Sequence, residues 1–273
     1  MSPIGDAIAA LKKAADGNSV KRNLKDVVDN VSSCLVLLNS SRPSLSAMEK
    51  LQSVFRVLFQ ELYDVYFSPT LQLSSAVLST ILEEKLCDAY IHGESVLPVE
   101  WDKTACTLLS GDLLEDHARN DHHFKAAVGK FLYPVLCRFF FQTHSKVAPQ
   151  LSVQLCTFAY TVLSDAAYGH SGNQAILRDK AIMGPVRLGA AISNSEDFLI
   201  TESLLALLAR LLATENSISG RSERTKFVQE ALGSSKFFKC SRELVAILQE
   251  ASTSDWDVAA TRLIDALSES DIK

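Results

Sequence analysis

The chain has 273 residues, a net charge of −5 and a hydrophobic fraction of 47%. This length is sufficient for a sizeable core, and the lack of a single-sign charge block excludes bulk electrostatic binding to nucleic acid or to an anionic membrane. The longest apolar runs, 131–141 and 204–213, are too short to span a bilayer and are interrupted by Arg138 and Arg210. Six isolated cysteines without a C-x-x-C pair indicate reduced thiols in a cytosolic or nuclear protein.

The first part of the chain reads as a succession of amphipathic helices. Apolar residues at three- and four-residue spacing predict helices over 4–15, 20–38, 46–67 and 71–91. Pro69 predicts the end of the third helix, since proline disfavours helix at the residue before it, and Gly93 is the expected stop of the fourth. Pro98 suits the first turn of a fifth helix, and the polar segment 111–121 is the loosest point of the chain.

The second part continues the helical pattern. We predict helices over 124–143, 147–168, 175–179, 186–192, 197–213, 221–232, 235–250 and from Ser254 to the C-terminal end. Pro134 must kink or divide the first of these, and Gly184-Pro185 separates two short helices. The helix 197–213 is apolar almost all round, so we expect neighbouring helices to cover it.

About a dozen helices joined by short loops predict an all-α fold. The sequence 160–213 reads as a short, a medium and a long helix, and with turns at Gly172-Asn173-Gln174 and Ala181-Ile182 it resembles an armadillo repeat. A second triplet, 221–268, overlays the first loosely. We therefore expect one domain over 1–273, built as an armadillo/HEAT-like alpha-solenoid or as a compact superhelical array.

Several short motifs in the C-terminal third resemble one family more closely. They are Glu196-Asp197-Phe198, Arg221-Ser222-Glu223-Arg224, Phe227-Val228, Ser234-Ser235-Lys236-Phe237-Phe238 and Asp255-Trp256-Asp257. In this order they are similar to the N-terminal armadillo-like domain of meiotic chromosome-axis proteins, the lateral-element component of the synaptonemal complex and its fungal counterparts.

This resemblance implies a non-enzymatic scaffold that binds other proteins on chromosomes in the nucleus. The chain would then be a fragment, with a pleckstrin-like domain beginning near Lys273. The helix 197–213 lacks the asparagine ladder and tryptophans of the armadillo peptide groove, so no binding residue is carried over from importin-like proteins. A cytoplasmic adaptor of transport or of the cytoskeleton on the same fold is the alternative.

Catalytic and metal-binding patterns have little support. His117, Asp121, His122 and His123 are the best metal candidates, but zinc needs four well-placed donors and a solvated loop is favoured. A helical metal-binding enzyme is the runner-up that depends on them. Gly169-His170-Ser171-Gly172 lacks the last glycine and the preceding strand of a nucleophile elbow, which indicates a structural turn. The carboxylate pairs at 83–84, 115–116 and 255–257 are expected to face solvent. We predict no cofactor.

One charge pattern is a candidate protein-binding site. Six basic residues are concentrated between Ser219 and Arg242: Arg221, Arg224, Lys226, Lys236, Lys239 and Arg242. Acids dominate after Val245, so the two segments either neutralise each other or leave a basic patch for an acidic peptide or a phosphate. The aromatic run 139–141, with Trp101 and Trp256, indicates a second possible interface, with a partner protein or with another copy of the chain.

Overall fold

The computed structural model describes residues 3–16, 23–39, 43–94, 96–109, 121–141, 151–212, 218–251 and 256–271. Within these ranges the regular structure is helical and contains no β-strand, which confirms the all-α prediction. The α-helices of the described residues are α1 (Pro3–Asp16), α2 (Asn23–Cys34), α3 (Leu45–Thr80), α4 (Leu86–Ile91), α5 (Val99–Leu109), α6 (His122–Phe131), α7 (Tyr133–Phe140), α8 (Val153–Ala167), α9 (Ser171–Arg178), α10 (Gly184–Ser193), α11 (Phe198–Leu211), α12 (Ile218–Leu232), α13 (Ser241–Glu250) and α14 (Trp256–Asp271). A 3-10 turn, Leu35–Asn39, follows α2, and a π-helical segment, Ile81–Lys85, joins α3 to α4.

Contacts between residues group the chain into two compact units. Unit 1 is Met1–Val135 with Ser145–Ala166, and unit 2 is Leu136–His144 with Ala167–Lys273. The single domain over 1–273 stays a prediction. The predicted loose point 111–121 lies, apart from Asp121, outside the described residues.

Helix α3 is the centre of unit 1, where it packs against α1, α2, α5 and α6. Ser44 begins it as an N-cap whose Oγ accepts a hydrogen bond from the Ala47 N–H (3.4 Å). Leu51, Phe55 and Leu58 recur at helical spacing and are fully buried. This apolar face explains why one long helix organises the core of the unit.

The break predicted near Pro69 is present as a kink at Tyr66, where two helices join within α3, so that the helical run continues to Thr80 without a loop. Its backbone leaves the helical region at Tyr66, with φ −136° and ψ 43°. Proline has no N–H to donate and its ring displaces the carbonyl four residues earlier, which kinks a helix without having to end it. The Thr70 hydroxyl donates to the Tyr66 carbonyl (2.9 Å), and the buried Leu71 holds the chain beyond the kink in the core.

The predicted stop at Gly93 and the division at Pro134 are confirmed. Gly93 has φ +73°, its N–H donates to the Tyr90 carbonyl (3.0 Å), and the Glu94 N–H donates to the Ala89 carbonyl (2.9 Å). These two bonds form a Schellman cap, in which glycine takes the left-handed conformation at no steric cost. Pro134 lies in the first turn of α7 and separates it from α6.

In unit 2 the predicted triplet is present as α9, α10 and α11, of 8, 10 and 14 residues. Helix α10 packs against α11 and α12, and α11 also contacts α14. The second triplet differs from the first, since α12, α13 and α14 have 15, 10 and 16 residues. The predicted helix start at residue 235 is wrong: the N–H groups of Phe237 and Phe238 bond to the Ser234 carbonyl in a turn, and α13 begins at Ser241.

Candidate functional site

The six basic residues predicted as a patch do not share one environment. Five of them are exposed: Arg221, Lys226, Lys236, Lys239 and Arg242. The sixth, Arg224, is only 4% exposed. The exposed five are available to a partner, whereas Arg224 belongs to the interior of unit 2.

The buried guanidinium of Arg224 joins α12 to the end of α13. Its Nη2 donates hydrogen bonds to the carbonyls of Leu248 (2.8 Å) and Ala251 (2.5 Å). A helix leaves its last carbonyls without intrahelical partners, and a cation there also interacts favourably with the helix dipole. Arg224 therefore serves the packing of two helices, which spacing along the sequence alone does not reveal.

Ion pairs within unit 2 do not neutralise the five exposed cations. Among the described residues of this unit, Lys180 pairs with Glu230 (3.0 Å) and Arg262 with Glu250 (3.3 Å). Neither pair includes one of the five. Direct neutralisation of the basic segment by the acids that follow Val245 is therefore not observed within the described ranges, and the exposed charge persists.

A cleft of about 260 Å³ lies beside one of these cations. We call it the α11 cleft; it is lined by the end of α10, the first turn of α11, the turn 233–240 and the second half of α14. Phe198, Phe237 and Leu267 provide apolar lining. Lys239 brings a positive charge on one side, and Glu196 and Asp197 bring negative charges on the other. Phe198 is 58% exposed and the adjacent Leu199 is 53% exposed. The cleft thus combines a large apolar side chain in solvent with a nearby cation.

Hydrogen bonds fix the edges of the α11 cleft. Asp197 caps α11, and its Oδ1 accepts from the N–H groups of Leu199 (2.8 Å) and Ile200 (3.2 Å). On the opposite side, the Ser193 hydroxyl donates to the Phe237 carbonyl (2.7 Å) and ties the turn 233–240 to α10. These contacts hold Phe198 outward at the first helical residue, so the site is preorganised.

Lys226 lines a different cavity, of about 220 Å³, together with Arg178, Glu223 and Glu230. The Arg178 Nε donates to the Leu211 carbonyl (2.8 Å). Burial lowers the pKa of the Arg178 guanidinium, and Glu223 partly opposes this effect. Because acids and bases are mixed here, this cavity favours no particular charge in a ligand.

The metal candidates that the structure describes, Asp121, His122 and His123, do not form a metal site. His117 lies outside the described residues, and the Asp121 carboxylate caps α6 by accepting from the N–H groups of His123 (2.7 Å) and Phe124 (3.3 Å). Among the residues that the structure describes, no group of three or more His, Cys, Asp or Glu side chains is placed to hold a metal ion.

The predicted turn at Gly169–Gly172 is confirmed for Gly169 and His170, after which α9 begins. The turn expected at Gly172-Asn173-Gln174 is wrong, because these residues lie in the first turn of α9. Gly169 has φ +65°, and His170 caps α9 with its Nδ1 accepting from the Asn173 N–H (3.0 Å). The hydroxyl of Ser171 is therefore at a helix start and not on a strained strand-to-helix elbow.

Of the carboxylate pairs, Glu115, Asp116 and Asp255 lie outside the described residues, and Glu83 and Glu84 are exposed.

No protein-family model, no curated protein and no solved structure matches this chain. Within the described ranges, no helix is both long enough and apolar enough to cross a membrane.

Phe198 is the site residue that sequence reasoning missed. The expectation that neighbours cover the helix 197–213 holds for its buried leucines, among them Leu204 and Leu208, but fails in the first turn. The sequence contained a signal for this exposure. Phe198 directly follows the capping Asp197 and is the first helical residue, so no earlier turn of the helix covers its side chain.

Proposed function

We propose that the chain is a non-enzymatic protein-binding module whose α11 cleft holds an acidic, apolar peptide segment of a partner. The observation that carries this proposal is the exposed Phe198 beside a cleft that also contains Lys239. Large apolar side chains in solvent next to a concave surface are typical of partner sites, since aromatic anchors contribute most of the binding energy at interfaces.

Charge favours an acidic partner. The exposed Lys236 and Lys239 lie in the turn beside the cleft, and Arg242 follows in the first turn of α13. None of these three forms an ion pair with a described residue. These cations attract an acidic segment to the side of the cleft formed by the turn 233–240, whereas Glu196 and Asp197 oppose it at the start of α11.

The wider setting is part of the same proposal. Residues that support the resemblance to chromosome-axis proteins, including Glu196, Asp197, Phe198 and Phe237, also line the α11 cleft. We therefore favour an armadillo-like scaffold on chromosomes in the nucleus over a cytoplasmic adaptor. Localisation of the parent protein distinguishes these two settings.

Selection of displayed random peptides against the purified protein tests the cleft. We expect the enriched sequences to combine Asp or Glu with Phe, Leu or Ile, because the site offers cations beside an apolar surface. Synthetic peptides from this selection are then measured by fluorescence anisotropy. Lys236→Glu/Lys239→Glu/Arg242→Glu should weaken binding about tenfold or more, which corresponds to roughly 1.4 kcal/mol.

A matched control carries the same change of charge elsewhere, at exposed positions of unit 1: Lys13→Glu/Lys50→Glu/Arg56→Glu. Binding by this control should remain within about twofold of the original protein, because none of its three positions lines the α11 cleft. Equal weakening in both variants, or enrichment of basic peptides in the selection, would contradict the proposal.

A further inference from the structure

A second pocket, in unit 1, has a different chemistry. It encloses about 210 Å³ between the end of α4 and the start of α5. We call it the Trp101 pocket, after the tryptophan that lines it together with Lys85, Asp88, Glu94 and Glu100. It shares no residue with the α11 cleft, so a ligand of the Trp101 pocket is independent of the function proposed for that cleft.

Lys85 is an unusual side chain for such a place. It is 4% exposed, and its Nζ lies 5.3 Å from the centre of the Trp101 ring. No hydrogen bond or ion pair joins this ammonium to another described residue. Its Nζ is not one of the enclosed polar atoms that lack a partner among the described residues, so the ammonium reaches the open space of the pocket, where contact with the Trp101 face stabilises it. The pocket therefore contains a donor for which a ligand can supply an acceptor.

The local backbone accounts for the position of Lys85. It is the last residue of the π-helical segment Ile81–Lys85, in which Ile81 and Leu82 are buried as well. Ile81, Leu82 and Lys85 are thus on the buried side of this segment, whereas Glu83 and Glu84 between them are exposed. Such segments are frequent at functional sites, which agrees with a buried charge lining a cavity.

The rim of the pocket is acidic. Asp88, Glu94 and Glu100 line it, and the exposed Glu83 and Glu84 precede it along the chain. The Lys103 Nζ lies 3.8 Å from Glu100 Oε2 and offsets one of these charges in part. Carboxylates thus outnumber cations around the opening, and this repels nucleic acid, anionic membranes and acidic peptides.

Exposed apolar residues lie next to the lining residues along the chain. Tyr90 and Ile91 end α4 and are 53% and 70% exposed, whereas Val96 and Val99 lead into α5 and are 51% and 61% exposed. Gly93 turns the chain between the two pairs, so all four belong to one short connection. Exposed apolar side chains beside a charged pocket are typical of a place where another chain packs, and we call these four the apolar rim.

We propose that the Trp101 pocket and its rim bind a basic amphipathic peptide segment of another protein. A lysine or arginine of that segment pairs with Asp88, Glu94 and Glu100. Its main-chain carbonyl accepts a hydrogen bond from the Lys85 ammonium, and its apolar side chains cover the rim. A peptide offers all three groups at once, whereas a simple metal cation is repelled by Lys85 and a simple anion by the carboxylates.

The test uses the full chain with Trp256→Phe, which leaves Trp101 as the single tryptophan and as a reporter of binding. The probes are two synthetic amphipathic helices of equal length, one of lysine and leucine and the other of glutamate and leucine. We expect the lysine peptide to bind with a change in Trp101 emission, and the glutamate peptide not to produce that change. Affinity should fall as salt is raised, since rim charges are screened.

Four variants locate the binding. Asp88→Asn/Glu94→Gln/Glu100→Gln should lower the affinity for the lysine peptide about tenfold or more. The matched control neutralises exposed acids of unit 2, Glu243→Gln/Asp265→Asn/Glu269→Gln, and should leave this affinity unchanged. Lys85→Met should weaken binding while the melting temperature holds or rises, because methionine fills the same volume without burying a charge. The variant of the α11 cleft, Lys236→Glu/Lys239→Glu/Arg242→Glu, should bind the lysine peptide with unchanged affinity. Failure of one proposal can therefore be distinguished from failure of the other.

Equal affinity of both neutralised variants, or a preference for the glutamate peptide, would overturn the proposal. Analytical ultracentrifugation of the protein without peptide tests whether a second copy of the chain binds the pocket instead. If the protein dimerises, and the Asp88→Asn/Glu94→Gln/Glu100→Gln variant does not, the pocket binds a second copy of the chain and the proposed peptide ligand is wrong.

Discussion

Replacing Arg224 by methionine tests whether this buried cation fastens α12 to the end of α13. The change removes two hydrogen bonds from a charged donor and leaves the buried carbonyls of Leu248 and Ala251 without it. Bonds to charged groups contribute on the order of 1.5–3 kcal/mol each, and the relief from burying a guanidinium offsets part of that loss. We expect Arg224→Met to lower the free energy of unfolding by about 2–4 kcal/mol.

Arg221→Met is the matched control, because Arg221 lies on the same helix but is exposed. Its effect should be within about 0.5 kcal/mol of zero, as for most surface changes. Urea unfolding followed by far-ultraviolet circular dichroism measures both variants. An Arg224→Met protein as stable as Arg221→Met would refute the structural role of Arg224 and return it to the set of surface cations.

Two further predictions concern the packing of helices and the ionisation of thiols. Gly189→Ala should destabilise the protein by about 1–3 kcal/mol, because its Cβ would fall within the backbone of Ala231, whereas Gly172→Ala meets only an imidazole ring and should be tolerated. Burial raises the pKa of the Cys137 thiol from 9.0 to about 12. The thiol therefore ionises at lower pH in the unfolded chain than in the folded one. The free energy of unfolding should fall progressively as the pH rises from 9 towards 12, and Cys137→Ala should reduce this dependence on pH. At pH 8 the exposed Cys87 should react with a thiol reagent, and equally fast labelling of Cys137 would contradict its burial.

Helix stops could be predicted where one residue decides them locally. Gly93 ends α4 because glycine alone takes positive φ without strain, and Pro134 divides α6 from α7 because it has no N–H to donate. Pro69 shows the limit of this reasoning. The same local defect kinks α3 but does not end it, because burial of Leu71 and the residues beyond it outweighs the lost hydrogen bond.

The candidate site was predictable only in part. Clustering of cations around Lys236 and Lys239 is visible in the sequence, but the burial of Arg224 depends on where α13 ends in space. Likewise, the exposure of Phe198 depends on which helices surround the first turn of α11. The burial of Lys85 at the end of a π-helical segment has no clear signature in the pattern of apolar residues.

By itself, the sequence determined that the chain is helical, where most helices lie, and which of their faces are apolar, because these properties follow from periodicity and from single glycines and prolines. Only the tertiary structure decided which charges face solvent. Burial depends on contacts between residues far apart in the chain: the carbonyls of Leu248 and Ala251 hold Arg224 inside, whereas the turn 233–240 leaves Lys236 and Lys239 outside.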